Sequence, residues 1–397
     1  MLRRQLPAYS PITARALARG LGAALLGDHG AQERVEGRIR RRFSGGEVLF
    51  TDSGTSALAL ALRVIARGRP ATIALPAYSC FDLATAVQAA GVEAVLYDLD
   101  PGTLGPDWAS LERTLSRTDV AAVVAAHLYG VPVDMRRVAA RASAAGAAVV
   151  EDAAQGVGGS LAGRPLGTFG DLSVLSFGRG KGLTGGGGGG ALIVHESAFA
   201  DRLREASARL GSGARGWREL IAGSAQWALG RPGLYWLPAT LPFLRLGETV
   251  YHAPGPVGAA SDASLAILEE NWEPSLREAG VRQHRADELR QILQASPDLA
   301  SIEIPDEGVA GYLRYPVLAE DPRPGFRLAT TAARTLGIMP GYPKPLHRLA
   351  EFRVPADSLP EPGYPGAERL ATGLYTLPVH GRLSGEAWRR AKELVAR

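Results

Sequence analysis

The sequence predicts an α/β fold, with a large and mostly parallel sheet of seven strands and a smaller C-terminal α+β domain. The main observation is that short apolar runs alternate with helix-like stretches between about residues 47 and 195, which is the pattern of βαβ units. A second observation is that several of these runs are continuous and β-rich rather than alternating, as in strands that are buried on both faces.

Seven apolar runs are the candidate strands of the large sheet. They cover residues 48–51, 71–75, 93–98, 120–127, 147–152, 172–177 and 189–194. Between them, segments 56–68 and 134–147 have the apolar spacing of amphipathic helices and end close to glycine. The elements predicted further along are a helix over about 262–295, a strand over 311–319, a helix over 325–337 and a final helix after Ser384.

These elements predict three parts of the chain. Residues 1–45 form an N-terminal helical segment, 46–260 a large domain, and 261–397 a linking helix with a small domain. Residues 216–248 interrupt the large domain with an aromatic stretch that holds three of the six tryptophans. This stretch is either an insertion packed on the core or across a homodimer, or an exposed patch that meets a partner or a membrane surface.

Composition excludes several classes of protein. The chain has 397 residues, of which 46% are hydrophobic and 21% charged, a balance typical of globular domains. A net charge of +4, spread over 44 basic and 40 acidic side chains, gives no reason to expect a nucleic-acid partner. The lone Cys80 excludes an internal disulfide and a multi-cysteine zinc site, and no metal is expected. Because no signal peptide or 18-residue apolar run is found, we expect a cytoplasmic protein.

The first predicted strand ends in a run of small polar residues that includes Gly54, Thr55 and Ser56. A helix that starts there leaves backbone N–H groups unpaired and adds hydroxyls, which together suit a phosphate group. The alternative interpretation is an ordinary helix N-cap.

Two further strand ends carry groups that could do chemistry. Glu151, Asp152 and Gln155 follow an apolar strand, at the sheet edge where α/β proteins bind ligands. A carboxylate buried there needs a cationic partner, such as a pyridinium nitrogen; the alternative is a strand-end cap.

Lys181 follows another strand in a glycine-rich loop, and it is one of only three lysines among the 44 basic residues. Its amine can form a Schiff base, whereas arginine cannot; a solvated loop lysine is the alternative.

In register along the chain, these motifs resemble the DegT/StrS-type sugar aminotransferases, which are pyridoxal 5′-phosphate (PLP) enzymes of fold type I. The resemblance covers about residues 40–200 and 262–397. Besides the three strand ends, the matching segments are Pro76-Ala-Tyr-Ser-Cys80, His127-Leu-Tyr-Gly130 with Asp134-Met135, Gly167-Thr-Phe-Gly-Asp171, Tyr364-Pro-Gly-Ala-Glu-Arg-Leu370 and Thr376-Leu-Pro-Val-His380.

The resemblance implies a role for each candidate residue. Lys181 would carry PLP as a Schiff base and act as the general acid and base, and Asp152 would pair with the protonated ring nitrogen. Gln155 would bond the ring oxygen O3′. The residues implied to hold the phosphate are Gly54, Thr55, Ser56 and Ser176.

The chain also departs from the family pattern. Where the family often has an aromatic ring on the face of PLP, this chain has Cys80, which either stacks weakly, is replaced by Phe81, or is a small buried hydrophobe. The Asn-aromatic-Arg segment that reaches the partner subunit's PLP in the family is missing from 247–262, and Gly187 stands where a Glu is common.

The predicted function is therefore transfer of an amino group from an amino acid, such as glutamate, to a keto sugar, nucleotide-linked, in sugar or polysaccharide biosynthesis by a homodimer. One alternative is a sugar dehydratase of the same family, but the resemblance associates that chemistry with loss of the lysine. The other is a PLP-binding scaffold without turnover, which could contact a membrane through 216–248.

Overall fold

The strands of the large unit lie where the sequence predicts them. The computed structural model describes residues 4–211, 213–231, 233–239, 249–321, 325–355, 360 and 363–396. In chain order the first strands are β1 (Glu47–Thr51), β2 (Thr72–Pro76), β3 (Glu93–Tyr97), β4 (Val120–Ala126), β5 (Ala148–Asp152), β6 (Ser160–Leu161), β7 (Arg164–Pro165), β8 (Leu172–Ser176) and β9 (Gly190–Val194).

Seven of these strands form one sheet in the order β1-β9-β8-β5-β4-β2-β3, which confirms the predicted fold class. β3, β2, β4, β5 and β8 run parallel to one another, and β9 is antiparallel to both β8 and β1. The carboxyl ends of β1, β2, β4, β5 and β8 therefore meet at one edge of the sheet.

Helices cover both faces of the sheet and link it to the C-terminal unit. In chain order they are α1 (Ala14–Leu26), α2 (His29–Arg42), α3 (Gly54–Ala66), α4 (Asp82–Ala90), α5 (Trp108–Leu115), α6 (Met135–Ala144), α7 (Ala200–Arg209), α8 (Trp217–Leu229), α9 (Trp236–Ala239), α10 (Asp262–Leu293), α11 (Thr331–Thr335), α12 (Pro365–Gly373) and α13 (Gly385–Ala396). Side chains of the central strands, such as Val124, Val150 and Leu192, are fully buried, as their continuous apolar runs predict.

The C-terminal unit holds a second, antiparallel sheet. Its strands, with the short β11 that pairs with β6, are β10 (Leu299–Ser301), β11 (Gly308–Val309), β12 (Tyr315–Ala319), β13 (Met339–Pro340) and β14 (Leu374–Leu377). The predicted helix over 325–337 is wrong in its extent, because Thr330 has extended backbone and its hydroxyl accepts from Ala333 N at 3.2 Å. Thr330 thus caps the short α11 instead of lying inside a longer helix.

Backbone hydrogen bonds fasten the C-terminal unit to the carboxyl edge of the large sheet. Gly311 N donates to Gly130 O at 2.8 Å, and Leu346 N donates to Ala77 O at 2.7 Å. The predicted domain limits at about residues 45 and 260 stay predictions. Among the residues that the structure describes, no helix has both the length and the hydrophobicity to cross a bilayer.

Candidate active site

The turn where β1 gives way to α3 is a candidate site for an anion. Ser53 caps this helix, since its hydroxyl accepts from Ser56 N at 3.1 Å. The backbone N–H groups of Gly54 and Thr55, in the first turn, have no acceptor within the helix. Ser176, at the end of β8, faces them. A Cβ on Gly54 would lie 2.9 Å from Ser176 Oγ, so only glycine permits this close approach.

Lys181 lies in the loop that connects β8 to β9. The base of this loop is closed by the bonds from Phe177 N to Gly189 O and from Gly185 N to Phe177 O, both 2.8 Å. Close packing holds the residue after the lysine, because a Cβ on Gly182 would lie 2.8 Å from Val157 Cβ. The position of Lys181 is thus set by backbone contacts, and its amine is left for the site.

Asp152, the last residue of β5, forms no ion pair with any of the residues that the structure describes. Its Oδ1 accepts from Ala154 N at 3.0 Å. Burial raises the pKa of Asp152, while Lys181 and His127 lie near enough to act electrostatically in the opposite direction. A carboxylate in these surroundings is stabilised by any cation that enters the site.

The side chain of the preceding residue, Glu151, accepts several hydrogen bonds, whereas that of Asp152 accepts one among the described residues. It is fully buried, and it accepts from Gly167 N at 2.6 Å, Phe169 N at 2.7 Å and the ring of His127 at 2.9 Å. Burial alone would raise the pKa of Glu151, but these hydrogen bonds lower it overall. Glu151 is therefore a structural carboxylate that ties β5 to the loop after β7.

Gln155 has a fixed orientation because both ends of its amide are bonded. Its Oε1 accepts from Tyr129 N at 3.1 Å, and its Nε2 donates to Tyr342 Oη at 2.8 Å. The rings of Tyr129 and Tyr342 stack with centroids 5.3 Å apart, and Tyr342 N donates to Tyr78 Oη at 2.8 Å. A phenol from the C-terminal unit thus positions the amide that the sequence assigns to the cofactor ring.

Cys80 is the residue of the turn after β2 that borders this group. Its thiol donates to Asp82 Oδ2 at 3.3 Å. Burial raises the pKa of the Cys80 thiol, with Lys181 near enough to oppose that shift. Phe81, the alternative that the sequence leaves open, instead packs in the hydrophobic core with 3% of its surface exposed.

The predicted insertion at 216–248 packs directly on the lysine loop. Its first helix, α8, leaves no room for a side chain at Gly187, where a Cβ would lie 2.5 Å from Ala222 Cβ. At position 187, where the family pattern often has a Glu, α8 thus occupies the space that a side chain would need. Trp217 and Trp236 are 46% and 48% exposed, whereas Tyr235 is buried; Phe243 lies outside the described residues.

The structure brings the three predicted strand ends together and adds residues that the sequence did not indicate. Tyr342 and Arg314 come from the C-terminal unit, and Ser10 of the N-terminal segment donates to Lys181 O at 2.8 Å. The motif Gly341-Tyr-Pro-Lys-Pro345 could have pointed to Tyr342, because two prolines fix a turn at a strand end. Nothing in the sequence around Arg314 indicates a site.

These groups fit PLP. The helix start with its hydroxyls suits a phosphate, and the tight approach of Gly54 to Ser176 makes a cradle that a side chain at residue 54 would fill. The raised pKa of Asp152 is the property of an acid that lacks a cation, which a protonated ring nitrogen supplies. Lys181 lies near enough to Asp152 to act on it electrostatically.

Comparisons with known proteins identify the family of the chain. The model of the DegT/DnrJ/EryC1/StrS aminotransferase family matches residues 26–230. UDP-N-acetyl-3-dehydro-alpha-D-glucosamine 3-aminotransferase of Acidithiobacillus ferrooxidans is 35% identical over 153 residues, or 38% of this chain and 41% of the relative. L-glutamine:2-deoxy-scyllo-inosose aminotransferase of Streptomyces kanamyceticus is 26% identical over 371 residues, or 91% of this chain and 81% of the relative.

The first of these alignments spans less than half the length of the relative. Among solved structures, the aminotransferase TlmJ from Streptoalloteichus hindustanus has a TM-score of 0.77 and 22% identity, with 98% of this chain and 97% of that chain covered. This likeness shows the fold. The family match covers just over half of the chain, and with the motifs in register it shows that the chain belongs to the DegT/DnrJ/EryC1/StrS aminotransferase family.

Proposed function

We propose that the protein is a PLP-dependent aminotransferase that moves an amino group from an amino acid to a keto sugar. The observation that carries the proposal is that Lys181, Asp152 and the phosphate cradle at Gly54 share one edge of the sheet. Two relatives in the comparison are named for amino transfer to a cyclic ketone, one a nucleotide-linked sugar and one an inosose. We therefore propose a keto sugar, nucleotide-linked, as acceptor, with glutamate or glutamine as donor.

Each residue has a task in this reaction. The start of α3, with Thr55, Ser56 and Ser176, binds the phosphate, and Asp152 holds a proton on the ring nitrogen. Bound there, PLP supplies an electron sink for the carbon that carries the nitrogen.

The remaining tasks concern protons and orientation. Lys181 Nζ accepts the proton from the α-carbon of the donor, and it returns a proton to the carbon of the sugar that gains nitrogen. Gln155, held by Tyr342 and Tyr129, orients the ring, and Cys80 borders its face. Since the site is built mostly on strand ends, these groups keep their positions through both half-reactions.

The test has two parts. Borohydride reduction of the holoprotein followed by peptide mapping should leave the pyridoxyl group on Lys181, and a label on Lys344 or Lys392 contradicts the assignment. Incubation with glutamate or glutamine and a panel of keto sugars should yield an aminated sugar by mass spectrometry. A dehydrated sugar would favour the dehydratase alternative, and no product from any pair would favour the scaffold.

We also propose that the active form is a cytoplasmic homodimer. The resemblance supports the dimer, since relatives of this fold type complete each site at a subunit interface. Light scattering on the holoprotein should give twice the mass of one chain, and an active monomer would contradict it. Cell fractionation tests the location.

A further inference from the structure

Residues 185–190 are six consecutive glycines, which we call the glycine tract, in the arm of the lysine loop that returns to β9. The roles assigned to the site residues do not explain a run of this kind. In the structure the tract lies between two other elements, namely the insertion helix α8 and the turn from β1 to α3. Both elements approach it so closely that side chains on the tract would collide with them.

On one side, small residues of α8 pack against the tract. A Cβ on Gly187 would lie 2.5 Å from Ala222 Cβ, and a Cβ on Gly223 would lie 3.1 Å from Gly186 Cα. Gly187 does not have a positive φ. The contact with α8, and not the backbone conformation, therefore excludes a side chain at this position.

A chain of hydrogen bonds fastens the same side of the tract. Glu219, in the first turn of α8, accepts from Ser261 Oγ at 3.3 Å. Ser261 Oγ accepts in turn from Ser264 N at 3.2 Å, and Ser264 Oγ donates to Gly188 O at 3.0 Å. A carboxylate from α8 thus lies beside the tract, with Glu219 Oε1 3.5 Å from the position of a Cβ on Gly188.

On the other side, the tract pairs with the turn that begins α3. Gly189 N donates to Asp52 O at 2.6 Å, and Ser53 and Gly189 form a parallel β-bridge. A Cβ on Gly190 would lie 2.5 Å from Ser53 O and 2.7 Å from Gly54 N. The backbone of the phosphate cradle therefore rests directly on the glycine tract.

Because the tract has no side chains, only its backbone separates α8 from the phosphate cradle. Closely packed groups have low compressibility and transmit a displacement to their neighbours. A shift of α8 is therefore passed through the tract to the turn at Asp52 and Ser53.

We propose that α8 is a positioning element for the cofactor, and that its contact with the glycine tract sets the geometry of the phosphate cradle. This inference rests on the proposed function, because that function assigns the cradle to the phosphate of PLP. It gives the insertion at 216–248 a task at the cofactor end of the site. When α8 is pushed away from the tract, the cradle loses its geometry and the affinity for PLP falls.

The experiment measures cofactor binding rather than turnover. Cofactor-free protein is titrated with PLP and with pyridoxal, which lacks the phosphate, and binding is followed by absorbance. Gly187→Ala adds one methyl group at the contact with α8, and Ala222→Gly removes the methyl group that opposes it. Gly280→Ala is the matched control, because nothing lies within 4 Å of a Cβ on this exposed glycine of α10.

We expect Gly187→Ala to weaken PLP binding by at least about tenfold, the scale on which an extra methyl group disturbs a tight contact, and to change pyridoxal binding by less than about threefold. The double variant should regain the PLP affinity of Ala222→Gly alone to within about twofold, and the control should match the wild type. Ser264→Ala removes the bond to Gly188 O without adding volume. It should weaken PLP binding in the same direction, and it gives a result if Gly187→Ala does not fold.

Three results would overturn the inference. They are an unchanged PLP affinity in Gly187→Ala and Ser264→Ala, equal losses for PLP and pyridoxal, and a double variant that Ala222→Gly does not rescue. PLP binding that depends on the contact, in a protein that transfers no amino group, would refute only the proposed function.

Discussion

The two ends of the site are built in different ways. At the cofactor end, Asp152, Ser176 and Gly54 follow strands of a buried sheet, and each belongs to a short motif of adjacent residues. At the other end, Ser10, Tyr129 and Tyr342, which hold the lysine loop and Gln155, come from segments far apart in the chain. The groups proposed to carry the chemistry thus follow strands of the rigid sheet, whereas the groups that position them come from distant connecting segments.

The largest expected effect is at the cofactor end, with Lys181→Ala. Loss of the amine that moves the proton should slow amino transfer by at least about a thousandfold, because no other lysine lies nearby in sequence. Single-turnover absorbance with glutamate measures it. Lys344→Ala, at an exposed lysine, is the control and should keep its rate.

Asp152→Asn should slow transfer by about a hundredfold, since a neutral amide cannot hold the ring nitrogen protonated. In the cofactor-free protein, the same substitution should increase stability. The pKa of Asp152 is raised by burial, so the native state binds the proton more tightly and loses stability as the pH rises through that raised pKa. Above it, the cofactor-free variant should melt at a higher temperature than the cofactor-free wild type, and a lower Tm would contradict this.

Glu151→Gln should act on stability rather than directly on the chemistry. The change leaves buried N–H donors with a weaker acceptor and should cost about 1–3 kcal/mol of unfolding free energy, measured in urea. The pKa of Glu151 is lowered in the native state, so the stability it contributes is present above the ordinary pKa of a glutamate and is lost as the pH falls through the lowered value. Stability that is unchanged in acid would remove Glu151 from this role.

The smallest effect is expected at the surface of the insertion. Trp236 is 48% exposed, so Trp236→Ser should change the unfolding free energy by less than about 0.5 kcal/mol and leave the half-reaction with the amino donor intact. If 216–248 selects a partner, a membrane or the acceptor, binding to vesicles, to a partner or to the keto sugar should fall. Loss of several kcal/mol with unchanged binding would instead make the tryptophan part of the core.

Sequence alone predicted the family, the fold class and the cofactor, and all three are confirmed. It could do so because several strands of the large sheet are continuous β-rich runs, and because the groups that PLP needs lie within a few residues of a strand end. The one helix with a wrong extent, 325–337, shows the limit of periodicity. There, a single threonine hydroxyl at position 330 competes with the helical ladder and ends it.

What the sequence determined by itself is the cofactor end, where local motifs and the period of the apolar residues specify both the elements and the groups at their ends. What only the tertiary structure decided is which distant residues meet them. The contrast between Glu151 and Asp152 depends on the loop at 167–170 and on His127. The contacts of Ser10 with the lysine loop and of Tyr342 with Gln155 depend on how the N-terminal segment and the C-terminal unit pack on the large sheet. Contacts between segments so far apart leave no local pattern, because they arise only when the whole chain has folded.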